Sequence, residues 1–170
     1  HEYEEKQKQK QKQEEIKMET TMENNSKTVV DILSIDSAAD SATVGSTEAP
    51  PLKHTVVIVD DNEFCREFIA CQVRGILEEY SMPCEVIELG SSIQNTLDYM
   101  LSPGFVCNLV LVDMNMAGAP ANVPRRQAGI YITQQYKLKR PWSTTKFVCV
   151  SGLGSTTHLK QQCCDAGMVK

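Results

Sequence analysis

Between residues 54 and 166 two hydrophobic periods take turns along the chain. Val56-Val57-Ile58-Val59 and Leu109-Val110-Leu111-Val112 are continuous apolar runs, each too short for a helix. Runs of this kind read as strands covered on both faces, as in parallel sheets. Cys84–Leu89 and Lys146–Val150 read as two further strands. Between them the spacing becomes helical. Phe64, Phe68, Ile69, Val73, Ile76, Leu77 and Tyr80 form one such series, broken by Ser81-Met82-Pro83. Ser91 is a suitable N-cap for a helix carrying Ile93, Leu97 and Met100, which Ser102-Pro103-Gly104 ends. Residues 130–138 and 155–166 read as two more helices, the last closed by Gly167. The order β-α-β-α-β-α-β-α predicts an α/β domain: an open, doubly wound parallel sheet with helices on both faces.

Residues 1–52 break from this pattern. KQKQKQKQEE is low-complexity and polar and has no apolar heptad seam, which argues against a coiled coil. Residues 20–51 are rich in Ser, Thr, Ala, Asp and Asn. Such a segment cannot bury enough apolar surface to offset its ordering entropy. A disordered tail or linker over 1–52 and one folded domain over 53–170 are therefore expected.

The formal charge of -5 argues against nucleic-acid binding by this segment, which usually needs a basic face. No apolar run approaches the ~20 residues that span a bilayer. The polar opening lacks the apolar core of a signal peptide. Because the chain opens on His1, a fragment of a longer protein is expected. Seven cysteines without a C-x-x-C pair suit neither a disulfide framework nor a zinc site. They point to a reducing, intracellular and cytoplasmic setting. Adjacent Cys163 and Cys164 read as helix residues, one of them facing inward.

In open parallel sheets ligands bind beyond the carboxyl ends of the strands. The polar residues at those ends are Asp60, Asp61, Asp113 and Ser151. Three converging carboxylates repel one another unless one takes a proton or a cation sits between them. A hard divalent ion relieves this, and Mg²⁺ suits a site of few carboxylates and several waters. Asp61 would bind the ion directly, with Asp60 helping directly or through water. Asp113 would give one oxygen to the metal and use the other as nucleophile toward a phosphoryl group. The Ser151 hydroxyl could reach the phosphoryl oxygens. Singly, each residue has a plainer reading: an Asp pair after a strand is usually a loop acid or a helix cap. The order and spacing of all four carry the argument.

These segments resemble the response-regulator receiver family of two-component and phosphorelay systems, which has the flavodoxin-like architecture. Val56-Val57-Ile58-Val59-Asp60-Asp61-Asn62 looks like its first strand and acidic pair, with Arg66 at a commonly basic helix position. Leu109-Val110-Leu111-Val112-Asp113-Met114-Asn115-Met116 looks like its third strand and phosphoacceptor segment. Phe147-Val148-Cys149-Val150-Ser151-Gly152 looks like its fourth strand with the hydroxyl switch. Cys164-Asp165-Ala166-Gly167-Met168 resembles the turn before a fifth strand. The resemblance implies that Asp113 is the phosphoacceptor, that Ser151 is the switch, and that Asp60, Asp61, Asp113 and the backbone carbonyl of Asn115 hold Mg²⁺. It implies a histidine kinase or histidine phosphotransfer protein as partner. The domain would not itself be an enzyme, although its parent could be a hybrid histidine kinase.

The chain departs from the family pattern in three places. Ala117 stands where Pro usually follows the Met. The loop from Ala117 to Gly129 is longer than usual and carries Pro120, Pro124, Arg125 and Arg126; its arginines read as solvated, or as a guide for an anionic partner. Lys170 comes too soon after Gly167 to be the family's phosphoryl-binding lysine, so the fifth strand, that lysine and the last helix are expected to be missing. Such a loss would expose apolar sheet faces. Two other functions compete. One is a non-phosphorylated pseudo-receiver that serves as an interaction module. The other is an enzyme on a similar sheet. Against the enzyme, Asn115 stands where an aspartate-nucleophile phosphatase needs a second acid, there is no P-loop, and Gly152-Leu153-Gly154 is a weak glycine signal.

Overall fold

A computed structural model describes residues 54–90, 92–150 and 157–169. The expectations for the 1–52 segment, Ser91, Ser151, Gly152, Gly154 and Lys170 lie outside them. The elements are β1 (His54–Val59), α1 (Glu63–Glu79), β2 (Cys84–Leu89), α2 (Ile93–Met100), β3 (Leu109–Asp113), a 3₁₀ turn (Arg125–Gln127), α3 (Ala128–Lys139), β4 (Lys146–Val150) and α4 (Thr157–Asp165).

The four strands make one sheet in the order β2-β1-β3-β4, and every pairing is parallel. Parallel neighbours need a crossover, and α1, α2 and α3 each lie on one, while α4 follows the last described strand. Strand residues alternate between two buried faces. Val57, Val59, Val110, Val112 and Phe147 face a core closed by Ile93, Leu97 and Met100 of α2 and Ile130, Ile132 and Tyr136 of α3. Val56, Ile58, Leu109 and Leu111 point the other way and are also buried. That is the face of α1, whose buried residues are Ala70, Val73 and Leu77.

The helical series in α1 was only partly a buried seam. Phe64 and Phe68 are 76% and 50% exposed. At about 100° per residue they lie well off the stripe formed by Ala70, Val73 and Leu77. The cap of α2 is Ser92 rather than Ser91; its side chain accepts from the Asn95 N–H at 3.1 Å. Helix α3 starts at Ala128, so a 3₁₀ turn and the first two residues of the helix occupy the end of the expected loop. Gly167 follows α4 with φ +79°, and the Met168 N–H donates to the Cys163 carbonyl at 3.0 Å.

Among the described residues there is no fifth strand. The chain nevertheless returns to the open edge of β4, where the Val169 N–H donates to the Phe147 carbonyl at 2.8 Å. Among the same residues no helix is long and apolar enough to cross a membrane.

Candidate functional site

Strand register assembles the site. Val59 lies beside Val112 and Leu111 beside Ile58, so the next step of β1, Asp60, is level with Asp113. Neighbouring strands are about 4.8 Å apart, which places the two carboxylates within reach of one ion. By the period-two alternation Asp113 shares the face of Leu109 and Leu111, toward α1. Asp61 follows in the β1–α1 loop. Each of Asp60, Asp61 and Asp113 offers a carboxylate oxygen, and these atoms lie within 4.8 Å of one another.

The acidic pair is not spent on capping α1. That role falls to Asn62, whose side chain accepts from the Cys65 N–H at 3.2 Å. Each aspartate accepts from a backbone donor. Asn62 N–H donates to Asp60 at 2.8 Å, Asn115 N–H to Asp113 at 3.0 Å and Ala117 N–H to Asp61 at 2.6 Å. The Arg66 guanidinium crosses to the Asp60 carbonyl at 2.9 Å and closes the loop from below. Gly90 makes that crossing possible. A Cβ there would come 2.5 Å from the Asp60 carbonyl oxygen and closer still to the guanidinium.

Burial raises the pKa of Asp60, and the neighbouring Asp61 charge raises it further, against the Asn62 N–H and Arg66. Asp113 is also raised, by burial first and then by Asp60 and Asp61, against the Asn115 and Met114 N–H groups. Crowded carboxylates that resist ionisation are stabilised by a cation between them. The donor set is all oxygen and few in number, which fits a hard divalent ion such as Mg²⁺ better than a softer metal.

The three acids form the floor of a cleft of about 540 Å³. Asn115 lines it as well, and the exposed Phe64 and Phe68 of α1 form an apolar wall. Val150, at the end of β4, borders the cleft just before Ser151, which lies outside the described residues. The sequence reading grouped the acids and Asn115 but missed the Phe64–Phe68 wall. It also missed Gly129, where a Cβ would meet the Asp113 carbonyl oxygen at 2.8 Å. A glycine near the start of the helix that follows β3 was the available signal. No family model matches the chain, and no curated protein matches it significantly.

Proposed function

We propose that residues 53–170 form a receiver domain of the flavodoxin-like fold, acting in phosphorelay signal transduction by taking a phosphoryl group on Asp113. The supporting observation is the meeting of Asp60, Asp61 and Asp113 at one strand edge, their carboxylate oxygens within 4.8 Å. The strand order β2-β1-β3-β4 also agrees with the flavodoxin-like order, in which ligands sit at the β1/β3 switch point.

In this reading one Asp113 oxygen attacks phosphorus. The bond from phosphorus to the donor breaks as the bond to that oxygen forms. The donor is a phospho-histidine of a histidine kinase or phosphotransfer protein, and its imidazole leaves and takes up a proton. Bound Mg²⁺ would offset charge on the transferred oxygens and on the acids around them. Asp60, Asp61, one oxygen of Asp113 and the Asn115 carbonyl would hold that ion, and the Asn115 N–H keeps Asp113 oriented. Phosphorylation adds a charge of about -2. The Ser151 hydroxyl would answer it and bias a partner-binding surface.

The test is a Phos-tag gel after incubation with acetyl phosphate and Mg²⁺. A shifted band that disappears in Asp113→Asn is expected. No shift would end this reading and favour an interaction module that is never phosphorylated; a shift that survives Asp113→Asn would end it by placing the phosphoryl group on another residue.

A further inference from the structure

Among the described residues, the family resemblance assigns no cation to the phosphoryl group. The long loop between β3 and α3 supplies one of its own. Its 3₁₀ turn is closed by its own Gln127 N–H to Pro124 carbonyl bond at 2.8 Å and tied to the end of β3 by the Ala128 N–H, which donates to the Met114 carbonyl at 3.2 Å. Arg125, the first residue of that turn, lines the acidic cleft. Arg126, one residue on, is not among the residues lining it.

Two cations therefore stand near the acids, in different states. The Arg66 side chain is committed to the Asp60 carbonyl. Among the described residues no hydrogen bond or ion pair engages the Arg125 guanidinium. A phosphoryl group on Asp113 would carry negative charge outward from the cleft floor toward the residues lining the cleft. Guanidinium and phosphoryl oxygens match in a two-pronged geometry that a lone ammonium cannot reproduce.

We propose that Arg125 is a phosphoryl-contacting residue that donates to the oxygens of the group on Asp113, a role provided by the inserted loop. This inference rests on the receiver reading and goes beyond it, since the loop and its arginine are departures from the family pattern.

The experiment uses the full chain with Mg²⁺ and beryllofluoride, whose tetrahedral anion takes the phosphoryl position on a carboxylate. Bound fluoride is followed by ¹⁹F NMR in a titration. Arg125→Gln is expected to weaken the adduct about tenfold, the loss of roughly one charge-assisted contact. Arg125→Lys should recover only part of it, and Arg126→Gln should match the unsubstituted chain. Equal effects of Arg125→Gln and Arg126→Gln, or none from either, would overturn the inference while leaving Asp113 as acceptor. An unsubstituted chain that forms no adduct would overturn both the inference and the receiver reading. Arg125 is exposed, so its loss should not disturb folding.

Discussion

The main-chain N–H of Ala117 donates to a carboxylate oxygen of Asp61 at 2.6 Å, joining the β3–α3 loop to the β1–α1 loop across 56 positions of sequence. A proline at 117, the residue the resembling family usually carries, has no N–H to give. Ala117→Pro should cost about 1–3 kcal/mol, as expected for a lost hydrogen bond to a charged group. Ala117→Gly keeps the donor and should cost less. Urea melts of the two variants check this, and equal losses would show that the N–H contributes little.

Gly129 and Gly75 make opposite predictions for the same substitution. At Gly129 a new Cβ would lie 2.8 Å from the Asp113 carbonyl oxygen and 3.3 Å from a Val112 methyl. Helix α3 would have to back away from the end of β3. Gly129→Ala should cost about 1–3 kcal/mol by overpacking, and it should weaken Mg²⁺ binding by moving Asp113. Gly75 lies exposed within α1, with nothing within 4 Å of its Cβ position. Gly75→Ala should therefore stabilise by roughly 0.5–1 kcal/mol. Denaturant midpoints of the two variants should move in opposite directions.

The carboxylates also set a pH dependence. Asp60 and Asp113 have pKa values raised above the ordinary 3.8, chiefly by burial. Their protonated forms are thus favoured by folding. In that window the native state binds more protons than the unfolded chain, so stability falls as pH rises from 3.8 through the raised values. In chelator the protein should lose stability on going from pH 4 to 7 through these groups, and Asp113→Asn should lessen the loss. Saturating Mg²⁺ should reverse it at pH 7, by about 2.7 kcal/mol at a hundredfold excess over Kd. Thermal melts with and without Mg²⁺ at both pH values decide the matter. A metal effect equal at pH 4 and 7 would place the ion elsewhere.

Parts of this architecture could be read from residues alone. Parallel strands covered on both faces need unbroken β-branched runs, and β1 and β3 have them, so their limits and their terminal acids were visible. Helix α1 was harder. Phe64 and Phe68 look like core residues by size, whereas the buried stripe uses the smaller Ala70 and Val73. Only the angular spacing separates the two sets, and only a packed sheet decides which face turns inward. The β3–α3 loop has no period at all. Arg125 lines the cleft and Arg126 does not, on a turn tied to β3 through the Met114 carbonyl, a bond that leaves no pattern in the sequence.

A last prediction concerns the thiols behind the site. All seven cysteines are free. Cys149 of β4 and Cys163 of α4 pack against the same core. Burial, and then the Cys163 thiol, push Cys149 up from 9.0 to about 12. A thiol held protonated by folding adds nothing to the pH dependence below 9 and destabilises above it. Through the interval up to 12 the native state holds a proton the unfolded chain has lost, at about 1.4 kcal/mol per pH unit. Lys137, lowered by burial and by Lys146, acts in the opposite sense. The difference between the unsubstituted chain and Cys149→Ala therefore isolates the thiol. The stability gap between the two should narrow steadily from pH 9 to 11. At pH 8, iodoacetamide should label exposed Cys65 and Cys71 well before Cys149, because the thiolate is the reactive form. Early labelling of Cys149 would mean that β4 and α4 separate more readily than their packing implies.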